Sequence, residues 1–454
     1  MEAVMEFELS KEFLERFQTA LDDQDVAFIK ESLSGVNSAD IAALLYEFDS
    51  EECKYVFSVL PPEINAEVLE DLNEDIRGPF LEEFTTNELA HYIELLDSDD
   101  GADILYQIPL KRREEVIRNI ENEEKASNLL DLLRYPEDVA GGLMAKEMIK
   151  ANVNWTILQC IEEIRKQGEN VQKVYSVYVV DDQGRLLGKV SLRKLIIADD
   201  ATRIADIFDE DQVSVETYME DEEVAAIMTK YDLDAVPVVN ARGRLVGRIT
   251  IDDIVDVITE QAEEERQLMA GISSDVEETD SVWDLSKARL PWLIIGLFGG
   301  FLGAYFISHF EGDIKIIPAL AFFIPLITAM GGNVGIQSSS IVVQSLASPN
   351  VFADSTMQRL LKVFFVAMVN GVILALMVFG AVILMYTNQS LAITVSLALF
   401  SVVLLASFMG TFTPLLLNKL GVNPALASGP FITTANDLIA LAVYFSVAHL
   451  LYGL

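Results

Sequence analysis

Residues 429–444 read GPFITTANDLIALAVY, an apolar run broken by small hydroxyls, amides and one carboxylate, Asp437. If this run crosses a bilayer, a charge at mid-depth costs about 2.5–3.5 kcal/mol on insertion scales. No intramembrane base stands to pair with it, so either Asp437 is protonated or its compensating charge comes from outside the protein. Thr433, four residues earlier, shares its helix face. A second set of acids lies far upstream. Asp97, Asp99, Asp100 and Asp103 crowd one turn, and Asp252, Asp253, Asp256, Glu260, Glu263, Glu264 and Glu265 crowd one helix. A solvated acidic face is the ordinary explanation of such a run. Like charges at i, i+3 and i+4 repel, however. The sharper reading is carboxylates from separate elements meeting around hard cations.

The composition divides the elements that must position these two sets. Residues 1–283 hold 66 of the 71 acids and 26 of the 32 bases, whereas residues 284–454 hold five acids and six bases. The first part, at a net charge of −40, is a soluble acidic module; the second is an integral membrane domain. The start, MEAVMEFELSKEF, is acidic and lacks a basic stretch before an apolar one, so the module is expected to stay cytoplasmic. Its charge excludes nucleic acid as a partner and opposes its own compaction. Cys53 and Cys160 are far apart, and His91, His309 and His449 are scattered, which argues against a zinc site or a catalytic triad.

Two repeats organise the soluble part. Residues 41–72 align without gaps onto 89–120, an offset of 48, with helical spacing, an Asp-Ser turn and a second helix ending at proline. That is the pattern of a stacked, superhelical all-α array. The shared Asp-Ser (Asp49/Ser50, Asp97/Ser98) most simply caps the next helix, a role best suited to Asp49. The second copy carries more acid than a cap requires.

Residues 174–196 (VYSVYVVDDQGRLLGKVSLRKLI) match 233–255 (LDAVPVVNARGRLVGRITIDDIV) at an offset of 59. Each reads as strand, Gly-Arg turn, strand and helix start, preceded by helices around 157–167 and 222–231. This α/β tandem resembles a pair of CBS domains. CBS pairs often hold an adenine nucleotide on a Gly-x-x-Thr/Ser-x-x-Asp turn. The second copy has Gly247, Thr250 and Asp253, so ATP is a candidate ligand there; the first has Gly188, Ser191 and Lys194, without the acid. The plainer role of Thr250 and Asp252 is to cap the following helix. That helix should run to about Met269, followed by a Gly-Ser break and an acidic approach to the bilayer.

Five apolar spans follow, near 290–309, 316–346, 359–386, 391–417 and 427–453, the second expected to be broken by Gly331, Gly332 and Gly335. Lys287, Arg289, Arg359, Lys362 and Lys419 fall on one side of these spans, which puts that side in the cytoplasm and the C-terminus outside. Polar residues are few: Asn333, Gln337 and serines in the second span, Asn370 in the third, and Thr433, Thr434, Asn436 and Asp437 in the fifth.

YPEDVAGGLM (135–144), PLITAMGGNVGIQ (325–337) and NPALASGPFITTANDL (423–438) together resemble the MgtE family of bacterial magnesium channels, and the likeness covers nearly the whole chain. It implies a superhelical N domain (1–134), a CBS pair (135–260), a connecting plug helix (261–286) and a five-helix pore domain (287–454). It also implies a homodimer in the bacterial inner membrane whose twofold axis carries the pore. Asp437 then matches the pore acid, Thr433 offers backbone oxygen, and Asn333 lies in the pore stretch. Asp97, Asp253, Asp256, Glu264 and Glu265 match regulatory Mg2+ positions, with Glu220, Glu222 and Asp232 as further carry-overs in the CBS pair. Two departures stand out: Asn423 replaces a usual aspartate, and Gln344 a usual base.

The expectation is a non-enzymatic channel for hydrated Mg2+, with Co2+, Ni2+ or Mn2+ as competitors, closed when cytosolic Mg2+ bridges the acidic module. The alternatives are a proton-coupled divalent-cation carrier, since intramembrane acids often relay protons, and a nucleotide or metal sensor anchored in the membrane.

Overall fold

The computed structural model describes residues 9–168, 174, 176–273, 276, 281–347, 356–427 and 429–453. They form two compact units, Met1–Ile258 and Thr259–Leu454. The acidic approach expected at 275–280 falls, apart from Val276, outside the described residues.

The first unit begins with α1 (Lys11–Asp22) and α2 (Val26–Leu33), capped by Ser10 and Asp25. The repeat follows as α3 (Ser38–Leu45), α4 (Ser50–Val59), α5 (Pro62–Asp71) and α6 (Glu74–Leu81). It is mirrored by α7 (Thr86–Leu95), α8 (Ser98–Tyr106), α9 (Leu110–Asn119) and α10 (Glu123–Leu132). The offset of 48 holds through a fourth helix, beyond the aligned segments. It also pairs two buried bases. Arg77 donates to Gln107 Oε1 (2.9 Å) and the Glu70 carbonyl (3.3 Å), and Lys125 donates to the Leu96 carbonyl and Glu147. Prolines at 61, 62 and 109 stand where their missing N–H costs nothing, at the helix starts.

The Asp-Ser caps diverge. Asp49 makes a full capping box: its side chain accepts from Glu52 N, and Glu52 reaches back to Asp49 N. Asp97 makes no capping bond. Glu147, fifty residues downstream, takes the start of α8 instead, accepting from Ser98 N (3.1 Å) and Ser98 Oγ (2.6 Å). The expected cap at Asp97 is therefore displaced by a tertiary acceptor.

Two β-α-β-β-α copies follow. The first comprises β1 (Ile149–Asn152), α11 (Ile157–Gln167), β2 (Val177–Val180), β3 (Leu186–Val190) and α12 (Leu192–Ile197). The second comprises β4 (Val215–Glu216), α13 (Asp221–Tyr231), β5 (Ala235–Val239), β6 (Leu245–Thr250) and α14 (Ile251–Ala270). In each sheet the first strand is parallel to the second and the second antiparallel to the third. The two Gly-Arg turns hold each other reciprocally: Leu186 N donates to Gly243 O and Leu245 N to Gly184 O, both at 3.0 Å. Gly184 and Gly243 take φ of +76° and +72°, which only glycine adopts without strain.

The YPEDVAGGLM segment packs onto the second copy. Ala140 N and Gly141 N donate to the carbonyls of Met219 and Thr217 (2.8 and 2.9 Å), and a Cβ at Gly141 would lie 2.5 Å from the Tyr135 ring.

The second unit contains the last part of α14, then α15 (Val282–Ser308), α16 (Glu311–Ile316), α17 (Ala319–Ala347), α18 (Thr356–Tyr386), α19 (Gln389–Lys419) and α20 (Gly429–Tyr452). Five of these helices are long and apolar enough to cross a membrane. α15 begins eight residues before the expected span, because Ser281 caps a charged first turn that hydropathy ignores. α17 is not broken at its glycines. Its i→i−4 bonds persist, and the missing side chains instead let neighbouring helices close in. α19 lies at the centre, its Ala, Val and Leu faces buried against α17, α18 and α20.

Candidate functional site

Two polar constellations stand out, one in each unit. In the first unit, α8 and the start of α14 bring acids together at the junction of the helical domain and the CBS pair. Asp253 Oδ2 accepts from Thr250 N (2.9 Å) and Thr250 Oγ1 (2.8 Å). Asp253, the third residue of this helix, thus reaches back to Thr250, the residue just before its first turn. Asp253 lies close enough to Asp99, Asp100 and Asp103 to raise all three electrostatically.

Loss of hydration comes first among the causes, and the neighbouring carboxylates add to it. Asp100 is pushed up to about 8, Asp103 and Glu70 to about 7, and Asp253 to about 6, while buried Asp99 stands well above the carboxylate range. Asp97 and Asp256 are also raised, Asp97 by burial and then Glu147, against the pull of Arg248. Burial would raise Glu147 as well, but Lys125 and the Ser98 donors bring it below its usual range. Among the described residues no three Asp, Glu, His or Cys side chains converge as a ready metal-ligating group. The junction is a field of excess negative charge rather than a finished cage.

The other positions expected to be regulatory do not gather here. Glu220 and Glu222 sit at the start of α13, and Asp232 ends it in a left-handed turn (φ +52°). The eleven-residue helix, about 16 Å long, holds Glu220 and Asp232 at its opposite ends. Glu264 is exposed and Glu265 half-buried, both in the part of α14 that belongs to the second unit.

The glycines of the nucleotide-type turns have a packing reason. A Cβ at Gly247 would lie 2.6 Å from Met144 Sδ, and one at Gly188 would run into the Asp209 carbonyl. In the first copy Lys194, where the acid is missing, donates instead to Asp209 (2.6 Å) and the Ile207 carbonyl (2.9 Å).

The second constellation is the seam between α17 and α20. A Cβ at Gly332 would come 3.1 Å from Thr433 Cγ2 and 3.6 Å from Asp437 Oδ1. The glycine backbone therefore lies against the face that carries both residues. Thr433 Oγ1 donates back to the Gly429 carbonyl (2.9 Å). Oδ1 of Asp437 is buried with no hydrogen-bond partner among the described residues.

Thr434 turns toward Gly299 of α15 instead. Asn333 is exposed, and it is Gly332 that abuts Asp437. Asn423 is also exposed and accepts from Ala425 N (2.9 Å), so the amide forms the turn at the foot of α20. Gln344 is exposed on α17.

The end of α14 reaches this seam. Leu268 is buried with Val343 of α17 and Ala425. Gly271 (φ +81°) abuts Pro430 at the first turn of α20, and Ser273 donates to the Ala288 carbonyl of α15 through N (3.0 Å) and Oγ (2.8 Å).

Sequence reasoning grouped Asn436 with the polar residues of the fifth span and missed Arg248 altogether. Asn436 is 1% exposed, and both of its amide atoms lack a partner among the described residues. Arg248 is a buried base inside the acidic junction. The available signal for Arg248 was a base on the core face of a β-strand in a chain short of bases.

Comparison with known proteins agrees with this layout. A divalent cation transporter family, MgtE, matches residues 324–447; the MgtE intracellular N domain matches 36–138; the CBS domain matches 138–200 and 204–260. The magnesium transporter MgtE of Thermus thermophilus is 33% identical over 446 residues, covering 96% of this chain and 97% of its own. That of Bacillus subtilis is 28% identical over 438 residues, covering 96% and 97%. A solved cytosolic domain of the Mg2+ channel MgtE in complex with ATP is 34% identical. It spans 54% of this chain and 99% of that one, with a TM-score of 0.50.

Proposed function

This chain belongs to the MgtE family of magnesium transporters, and on that premise we propose that it is a magnesium channel closed by cytosolic Mg2+. The family is one of transporters rather than enzymes. The chain is a membrane protein with a cytosolic N domain. Two subunits meet on a twofold axis, with the C-terminus outside and Asp437 contributed once by each. The observation that carries this reading is the α17–α20 seam, where a lone acid keeps an unpartnered oxygen beside glycine backbone.

Mg2+ demands near-octahedral oxygen coordination and dehydrates reluctantly. Two Asp437 carboxylates supply a charge of −2 that matches one divalent ion. Recognition through the ion's own water leaves contacts weak enough for release. Co2+, Ni2+ and Mn2+, of similar hydrated size, compete for the site. Asn333 acts at the margin of the path rather than beside Asp437.

The acidic module senses the ion. When Mg2+ is plentiful, it neutralises Asp253, Asp256 and the α8 acids, with Glu264 and Glu265 on the same helix, and favours the closed arrangement by binding it more tightly. α14 transmits this to the foot of α20 through Leu268 and Gly271. ATP binds at the turn of Gly247, Thr250 and Asp253 as a second input, a reading supported by the ATP complex of the solved relative.

Patch recording of the full-length protein in liposomes tests the channel. Unitary Mg2+ currents should fall as internal Mg2+ is stepped up, and Asp437→Ala should abolish both current and block by Co2+. Saturable flux that follows a pH gradient without unitary currents would make the protein a carrier.

A further inference from the structure

α15 enters the membrane with two bases that its own unit leaves open. Between Ser281 and Ser308 the helix carries one acid, Asp284, against Lys287 and Arg289, all before the apolar span. Because the domain before α15 is cytosolic, these first turns stand at the cytosolic face of the bilayer. Ala288, between the two bases, is 1% exposed. At about 100° of rotation per residue, the bases therefore flank that buried seam, one on each side.

Arg289 is exposed and has no ion-pair or hydrogen-bond partner for its side chain among the described residues. Lys287 lies 3.7 Å from exposed Asp284, a pair too open to solvent to hold it strongly, and 5.9 Å above the ring of exposed Trp283. Leu290 and Leu293 continue the exposed surface toward the span. An indole, aliphatic side chains and bases at the end of a span match a headgroup layer, with the bases at the phosphates.

The same turn is tied to α14. The carbonyl of Ala288 accepts from Ser273 N (3.0 Å) and Ser273 Oγ (2.8 Å), and one turn further on Trp292 stands beside Gly271. The residue between the two bases is thus the one that fastens the chain leaving α14.

We propose that Lys287 and Arg289 bind the phosphate of an anionic phospholipid in the cytosolic leaflet, and that the bound lipid steadies the Ala288–Ser273 contact. Anionic lipid then lowers the internal Mg2+ needed for closure. This second half rests on the reading of a channel closed by cytosolic Mg2+; the lipid site itself does not.

Full-length protein in vesicles of phosphatidylcholine, with and without about 30% phosphatidylglycerol, provides both readouts. Lipid retained on transfer to detergent should be enriched in phosphatidylglycerol, and the Mg2+ midpoint for closure should fall about threefold in its presence. Lys287→Gln with Arg289→Gln should lose the enrichment and most of the shift, the remainder measuring the general attraction of Mg2+ to a charged surface. Lys287→Arg with Arg289→Lys should keep both. Equal enrichment in the wild type and the double Gln variant overturns the site, and an equal midpoint shift in the two overturns its coupling to α14. If the double variant inserts poorly, Arg289→Gln alone decides by the same comparison. Inorganic phosphate added to phosphatidylcholine vesicles should leave the midpoint unmoved; a matching shift assigns the bases to a free anion and removes the lipid. Flux that ignores internal Mg2+ in every lipid, with enrichment intact, sinks the gating reading and leaves the lipid site standing.

Discussion

Gly335 of α17 and Asn436 of α20 meet where the two helices cross, and no β-carbon fits between them. On its other side the Gly335 backbone meets Gly410 of α19, where an added Cβ would lie 3.1 Å from Gly335 Cα. Gly335→Ala must therefore displace the Asn436 amide or part α17 from α20. We expect a destabilisation of about 1–3 kcal/mol, the usual cost of overpacking, and loss of flux. Gly380→Ala, whose added carbon meets nothing within 4 Å, should be silent. Thermal melting in detergent beside a liposome flux assay checks both.

The acids of the junction set a pH dependence. Asp253, Asp103, Glu70 and Asp100 are raised to about 6, 7, 7 and 8, so the folded protein holds protons that the unfolded chain releases. Their contribution is full below the ordinary carboxylate range and is lost as pH rises through these values. In chelator, the melting midpoint of the cytosolic part should fall between about pH 5 and about pH 8.5. Mg2+ should flatten this slope, because the cation replaces the proton. A midpoint that rises over that range would contradict the sign.

The two Asp-Ser turns should differ in what the loss of their acceptor costs. Asp49→Ala removes a capping box and should cost about 1 kcal/mol, insensitive to Mg2+. Glu147→Ala should cost more, about 3–5 kcal/mol, because it strands buried Lys125 together with the Ser98 donors. Denaturant titration of the two variants gives the comparison directly.

Gly271 offers a way to loosen the end of α14 without touching an acid. Its φ of +81° and its contact with Pro430 leave no room for a side chain. Gly271→Val should lift this end from the foot of α20, so that Mg2+ current persists at internal Mg2+ levels that close the wild type. Unchanged closure in this variant would remove α14 from the gating path.

Both repeats were legible in the sequence because each copy buries the same positions, and periodicity records burial. The membrane spans were legible for a similar reason, as apolar length alone defines them. Asp97 shows where such reading ends: it is spelled like Asp49, and only an acid fifty residues on decides that it does not cap. Asn333 falls in the pore stretch that the resemblance marks, yet the adjacent glycine makes the contact with Asp437, and a residue without a side chain carries no polar signal. Asn436 reads in the sequence only as one more polar residue of the fifth span, because beside a carboxylate an amide is ordinary accompaniment. Its isolation becomes visible only once the surrounding helices are in place.

The reciprocal bonds between the turns at Gly184 and Gly243 have one more consequence. Each turn is the other's fastening, so neither copy can lose its own without releasing its twin, and drift at this point is penalised twice. The far end of each copy carries no such mutual debt. There the duplicates have parted company, one joining Lys194 to Asp209 and the other turning Asp253 back on Thr250.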